Sequence, residues 1–422
     1  MFPNLKKATL SSQVYSDINI PLLKQAAIFG SNGSGKSNLL KTINFIKGIA
    51  LDKNFLEKEK LHRYTFNLKE ETKSEIIISI EFLIIDEVYK YSFAISENSF
   101  KEKLETKKFN KTDFGLQFER NNQEIIFGAE VNISSEIIQI ISRTLDKNNR
   151  SSFLSIYTDV SFIENINIDK SVNWIKNHIK VYPIHRDSRD LINDYSKDER
   201  LNLFAQKIID KVNLGIQNFF VKTTELTEFI STENDIKDTN IIKNIFKKDP
   251  SATNLIRFNG KKPMYLIQEE EEQLLVKEIL FKQKGIDGFV GELDMGSQSD
   301  GTITFLNLIR IIYILINNKD TIFIDEIENS IHPELICKLI EFFGNIKSKG
   351  QLIYTTHETE LLDQKKYLRS DEVWFVEKEN GVSDLYSLNE FKEHNTINIK
   401  NGYIQGRYGA TPNIDKITPN LP

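Results

Sequence analysis

The chain has 422 residues, 40% of them hydrophobic, and 55 Lys+Arg against 60 Asp+Glu for a formal net charge of -5. That length accommodates two or three domains with a large core, and the charge balance excludes a globally basic surface, leaving only a local groove for nucleic acid. The single cysteine, Cys337, excludes an intramolecular disulfide and any cysteine-rich zinc module, which fits a reducing cytoplasm.

The first seven residues carry no apolar signal-peptide core. An apolar strand is predicted over 26–29, and a helix begins near Lys36 with Leu39, Leu40 and Ile43 recurring on one face. Between them, Gly30, Ser31, Asn32, Gly33, Ser34, Gly35, Lys36 and Ser37 match G-x-x-x-x-G-K-[ST] without a substitution. The three glycines let backbone N–H groups and the helix N-terminus converge on phosphate oxygens. Lys36 then reaches the β- and γ-phosphates and Ser37 offers its hydroxyl to Mg²⁺, so the pattern implies binding of a nucleoside triphosphate. A dinucleotide fingerprint is excluded, because Gly33 and Gly35 are followed by Asn38 where a third glycine is required.

Further along, Ile76, Ile78, Ile80 and Phe82 alternate, as do Tyr89, Tyr91, Phe93 and Ile95 after an Asp86-Glu87 turn, predicting an antiparallel hairpin. Strand-like pieces over 104–109 and 124–127 extend it into a β-rich first lobe spanning 1–130. From 131 to 285 the spacing turns helical, over 137–145, 201–220 and 241–246, predicting a helical insertion or short arm without a sustained heptad seam. The Glu269-Glu270-Glu271-Glu272 run reads as a solvated face or connector.

The third segment, 286–422, begins with a loop over 291–301 that opens an apolar helix to about Ile316. Its most apolar part, 305–316, is interrupted by Asn307 and Arg310, which predicts a buried helix and no membrane span. Strands follow over 321–324 and 351–354, with a helix from Pro333 to about Lys347 between them. Asn380-Gly381 joins a last hairpin, 373–378 with 382–388. The whole predicts one α/β sheet interrupted by a long insertion.

Asp325 and Glu326 close the 321–324 strand. An aspartate there can hold the Mg²⁺ water shell and the adjacent glutamate can deprotonate the attacking water. The separation of about 290 residues between Lys36 and Asp325 requires the large insertion. His357, after the next strand, can reach a γ-phosphate. Ser299 and Gly301 lie in Met295-Gly-Ser-Gln-Ser-Asp-Gly-Thr302 at a helix start, which forms either a second anion site or a plain helix cap.

In this order the pieces resemble the ABC-type ATPases of the structural-maintenance and Rad50 kind, in which nucleotide is sandwiched between two heads. Ser299-Asp-Gly-Thr302 then stands for the ABC signature, departing from Leu-Ser-Gly-Gly-Gln. Asp325-Glu326 is the Walker B pair, Glu328-Asn-Ser-Ile-His-Pro333 covers the D-loop region, and His357 is the switch histidine. Within that superfamily the chain resembles the AAA15 ATPases, through Ala27-Ile-Phe-Gly-Ser-Asn-Gly-Ser-Gly-Lys-Ser-Asn38, the Walker B segment and Gly406-Arg-Tyr-Gly-Ala410. The resemblance implies an ABC-type P-loop head with an antiparallel β lobe, Mg²⁺-ATP as cofactor, and a homodimer or higher homo-oligomer. It also implies a role like that of ATPase subunits of phage-defence systems such as AbiL and PARIS: a cytoplasmic sensor controlling a separate effector, often a Toprim nuclease, and triggered by a phage protein or DNA. The stretch 389–422 is too short for a Toprim domain. His62, His178, His185, His332, His357 and His394 are too scattered for an HNH site, and His185-Arg186-Asp187 is only three letters of a kinase motif. A DNA-repair or chromosome-maintenance ATPase of the RecF or Rad50 kind is the alternative.

Overall fold

The computed structural model describes residues 1–4, 10–15, 20–59, 61–65, 75–147, 150–157, 165–183, 188–212, 214–233, 254–256, 265–391 and 398–411. The predicted 241–246 helix, His185-Arg186-Asp187 and His394 lie outside them. The described chain divides into two compact units: Met1–Tyr182 with Lys319–Asp325 and Gln351–Pro422, and Pro183–Asn318 with Glu326–Gly350.

The first unit is built on a six-stranded sheet ordered Val382–Ser387, Val373–Glu379, Gln25–Phe29, Gln351–Thr355, Thr321–Asp325 and Ile179–Pro183. Gln25–Phe29 is buried at every position, as a central strand covered on both faces must be. It pairs in parallel with Gln351–Thr355 and with Val373–Glu379, and Gln351–Thr355 pairs in parallel with Thr321–Asp325. The final hairpin turns through Asn380 and Gly381 at φ 50° and 85°, the left-handed pair that an Asn-Gly hairpin turn uses.

Lys36–Leu51 is the helix expected after the glycine loop, burying Leu40, Ile43, Ile46, Ile49 and Ala50. Its buried side packs with a five-stranded antiparallel meander, Ile76–Ile84, Glu87–Ile95, Phe100–Lys108, Gly115–Asn121 and Glu124–Phe127, in one core that includes Tyr89, Tyr91, Phe93 and Ile95. These are the inward residues of the expected alternation. The turn falls at Ile85-Asp86, one residue earlier than Asp86-Glu87, with Ile85 at φ 60°. Helices Ser135–Lys147, Phe153–Tyr157 and Ile166–Asn173 contribute Ile141, Leu145, Phe153 and Ile168 to the same core.

A charged pair, Glu102 and Arg120, is sunk in this core. Glu102 accepts hydrogen bonds from Tyr91 Oη at 2.9 Å and from the Phe153 and Leu154 amides at 2.7 and 3.3 Å. The Arg120 guanidinium lies 3.7 Å away, and both side chains are 0% exposed. Burial pushes the Glu102 carboxyl up, against the opposing pull of Arg120 and the amides.

The second unit carries a mixed arrangement where a helical insertion is expected. The segment 201–220 is not one helix: Glu199–Ile209 is helical, and after Gly215 at φ 73° the chain becomes the strand Ile216–Glu225. That strand, rich in Phe, Val and Thr, pairs antiparallel with Gln273–Lys284, which also pairs with Tyr265–Glu270 and with Val290–Asp294. The predicted 291–301 loop therefore begins as an edge strand. The acidic run closes the strand Tyr265–Glu270 and makes the turn of the 265–284 hairpin, with Glu271 and Glu272 exposed at φ 49° and 65°. Asp300–Asn317 is, among the described residues, the one helix long and apolar enough to cross a membrane, and 56% of it is buried. Arg310 within it is 2% exposed and donates to Asp194 Oδ2 at 2.5 Å and to Asn307 Oδ1 at 3.1 Å, so its charge is neutralised inside the unit.

Glu102→Ala is expected to leave the Arg120 charge buried without its carboxylate and to lower unfolding stability by about 3–5 kcal/mol. Because Glu102 sits above the ordinary carboxylate value, the folded state holds its proton more tightly, and its contribution to stability falls as pH rises from that value. Denaturant titrations at several pH values check both, and Glu102→Gln should flatten the pH dependence in that window.

Candidate functional site

Three parallel strands of the first unit end at one edge of the sheet, and each end carries a residue singled out by its chemistry. The 30–37 loop follows Phe29, Asp325 is the last residue of Thr321–Asp325, and His357 comes two residues after Gln351–Thr355, the strand between the other two. Outside the carboxyl ends of such strands is where open α/β sheets bind ligands.

The loop is shaped to receive phosphate. Gly33 and Gly35 take φ values of 77° and 112°, which L side chains rarely adopt. The helix Lys36–Leu51 has Gly35 as its N-cap, with no side-chain cap and no acid in its first turn, so its amides are not spent on a local carboxylate or hydroxyl. Ser34 Oγ is buried and makes no hydrogen bond among the described residues. Lys36 is 6% exposed, and its ammonium donates to the Gly30 and Ser31 carbonyls at 2.8 and 3.1 Å, placing a fixed positive charge inside the loop. Ser31, Asn32, Ser37 and Asn38 complete it, with the Asn38 amide bonded to Gly35 O at 2.9 Å.

Asp325 is held by a residue that sequence reading passed over. Thr355, fully buried at the end of the adjacent strand, donates from Oγ1 to Asp325 Oδ1 at 2.6 Å. The parallel register places Tyr354 beside Ile324, so Thr355 falls next to Asp325. A polar residue closing an apolar strand two positions before a candidate histidine was the available signal. The hard oxygens of Asp325 and Ser37 suit Mg²⁺, which takes one or two protein ligands and completes its octahedron with phosphate and water. Among the described residues no group of three His, Cys, Asp or Glu could hold a metal by itself.

Glu326, joined to Asp325 by one peptide bond, begins the last segment of the second unit. It is exposed and adopts φ 49°, a left-handed conformation costing a glutamate roughly 1–2 kcal/mol. The turn continues through Asn329 N to Glu326 O and Ile331 N to Glu328 O, both 2.9 Å, with Ser330 at φ 63°. His332 then caps Pro333–Asn345, its Nδ1 accepting from the Glu334 amide at 3.3 Å. His178 pairs with Asp320 at 2.9 Å in the first unit, and His357 is exposed.

In the second unit Ser299 is the N-cap of Asp300–Asn317, accepting from Thr302 N at 3.1 Å. A Cβ added to Gly301 would lie 2.3 Å from Ser330 O, so the helix start and the turn after Glu326 touch through their backbones at a place where only glycine fits.

A glycine-shaped loop on an uncapped helix, level with a strand-end aspartate, has the geometry of a P-loop nucleotide site, here on an α/β sheet with an antiparallel β lobe. Residues 26–363 match the family model described as "AAA domain, putative AbiEii toxin, Type IV TA system", and the chain belongs to that family. The family is one of AAA domains, which implies nucleotide binding. Among curated proteins no match was found. Solved structures similar to it include an Smc head bound to the C-terminal winged-helix domain of ScpA, at 17% identity over 88% of this chain and 93% of that one, with a TM-score of 0.33. The SMC head domain from Thermotoga maritima is 12% identical over 89% and 96% of the two chains, with a TM-score of 0.33. The Smc head with an extended coiled coil bound to the C-terminal domain of ScpA derived from Pyrococcus furiosus gives 15%, 88%, 92% and 0.32. The assignment rests on the family match and on the site's own geometry.

Lys36→Ala is expected to weaken ATP binding on the order of 10- to 100-fold, the worth of a charge-assisted contact, without lowering the melting temperature of the nucleotide-free protein. Glu326→Gln should retain ATP affinity while turnover drops about 10²- to 10⁴-fold. Equilibrium binding of a fluorescent ATP analogue together with phosphate release separates the two effects.

Proposed function

We propose that the chain is an ATP-hydrolysing switch that controls a separate effector protein in a cytoplasmic antiphage system. The observation that supports this reading best is the intact phosphate loop on an uncapped helix at the sheet edge that also carries Asp325. In the proposed reaction Lys36 and the 30–37 amides bind the β- and γ-phosphates, Ser37 and Asp325 would hold Mg²⁺, Glu326 takes the proton of the attacking water, and His357 faces the γ-phosphate. A bound Mg²⁺ would neutralise negative charge that develops on the phosphate oxygens. Ser299 and Gly301 are assigned to the nucleotide of a second head, which makes a homodimer or higher homo-oligomer the working form.

ATP closing two heads does work only if the open and closed arrangements differ in what else they hold. A partner bound in one and released in the other is then switched by nucleotide. The family description, which names a toxin of a two-component toxin–antitoxin type, accords with a pair of gene products rather than a solitary enzyme. Toprim nuclease chemistry is the proposed effector class, and a phage protein or DNA the proposed trigger.

Co-expression with the neighbouring gene, followed by pull-down and phage challenge, tests this reading. A stable complex is expected, with protection or toxicity that needs both genes and an intact Lys36. Full protection by this gene alone, or by the pair carrying Lys36→Ala, would overturn the two-component reading.

A further inference from the structure

The hairpin of Val373–Glu379 and Val382–Ser387 touches the phosphate loop from the edge of the sheet. Ser383 Oγ donates to the Ser34 carbonyl at 2.7 Å, a contact between residues 349 apart in sequence. A Cβ on Gly35 would come within 2.4 Å of the same Ser383 Oγ, so the glycine is required there by the hairpin as well as by its backbone angle.

The Ser34 carbonyl and the Gly35 N–H belong to one peptide unit. Peptides are planar, and none in the described chain is cis, so the two groups point in opposite directions. Anchoring the carbonyl on the hairpin therefore turns the Gly35 N–H away from it. Left alone, this peptide would rotate readily, because it is bordered by Gly35 and lies one residue after Gly33, where both signs of φ cost little. Ser383 is the hydroxyl that selects one orientation.

The hairpin is itself braced from the other side by the C-terminal motif that resemblance singled out and the nucleotide chemistry leaves unused. Tyr386 Oη donates to Tyr408 O at 2.7 Å, and the Phe375 ring stacks on those of Tyr403 and Tyr408, with centroids 5.4 and 5.6 Å apart. A Cβ on Gly409, at φ 67°, would meet Glu377 Oε2 at 2.5 Å and Tyr386 Oη at 2.8 Å.

We propose that Ser383 is a positioning residue for phosphate binding: its hydroxyl holds the Ser34–Gly35 peptide with the Gly35 N–H aimed at the polyphosphate of a bound nucleotide, and the 403–410 segment keeps the hairpin in place to do so. The proposal rests on the nucleotide-binding reading of the 30–37 loop and extends the site by a residue that no P-loop pattern contains.

The test measures dissociation constants of ATP, ADP and AMP for the full chain and for Ser383→Ala, Ser383→Thr and Lys36→Ala, with melting temperatures taken without nucleotide. Ser383→Ala is expected to weaken ATP and ADP about two- to tenfold, the worth of one neutral hydrogen bond, at an unchanged melting temperature, and Ser383→Thr to restore them. Unchanged ATP affinity in Ser383→Ala alongside a loss in Lys36→Ala would refute the positioning role and leave the nucleotide site standing. Weaker binding accompanied by a lower melting temperature would also refute it, since that is the mark of a hairpin that only holds the fold. If Lys36→Ala too binds ATP as the parent does, the loop is not a nucleotide site and the positioning role fails with it.

Discussion

The parallel register among Gln25–Phe29, Gln351–Thr355 and Thr321–Asp325 is the constraint on which the site depends. Ile28 lies beside Thr355, and Ile324 beside Tyr354, so three segments distant in sequence end level with one another. A shift of one residue would turn every side chain on the slipped strand to the opposite face and send Thr355 away from Asp325. The register is well specified because Gln25–Phe29 is buried along its whole length, where a slip would strand apolar side chains and break main-chain bonds together.

The second unit shows the same economy at the backbone level. The start of the Asp300–Asn317 helix and the turn that begins at Glu326 meet where Gly301 faces the Ser330 carbonyl, leaving no room for a side chain. Ser299 and Glu326, assigned to different tasks, thus sit on elements fixed to one another through main chain. Side-chain rotamers do not enter that link. The left-handed Glu326 and Ser330 give the turn its tightness, and backbone strain concentrated beside a candidate catalytic group is a pattern shared by many functional sites.

Local signals were readable wherever one face of an element was apolar and the other wet. The alternation of Tyr89, Tyr91, Phe93 and Ile95, proline at the start of Pro333–Asn345 and the Asn380-Gly381 turn all appear where their chemistry places them. The strand Gly115–Asn121 escaped because the inward residues include Gln117 and Arg120, and a register shift opposite Leu104 breaks its period. Ile216–Glu225 escaped because the spacing of Leu201, Ala205 and Ile209 runs on smoothly toward Phe219, and only Gly215 marks the change. Val290–Asp294 has no buried face to read, since it pairs by backbone at an edge. In the site, the glycine loop and the Asp325-Glu326 pair are local strings and therefore visible. The Thr355 and Ser383 contacts bridge segments 30 and 349 residues apart, and no local pattern encodes a partner that far away.

That remoteness governs how the molecule comes to exist. Phe29 pairs with Phe375, and Ile28 with Thr355. At a synthesis rate of about 5–20 residues per second, a ribosome needs roughly 20 to 60 s after making the glycine loop before it delivers the strands that complete the sheet. The 76–127 meander, whose strands pair only with near neighbours in sequence, can form in that interval, while the first strand waits with its backbone donors unpaired. A nascent chain interrupted before residue 355 would carry a complete phosphate-binding string and no sheet to hold it. The capacity to bind nucleotide is thus acquired late in synthesis, once the strands on either side of Gln25–Phe29 have been made.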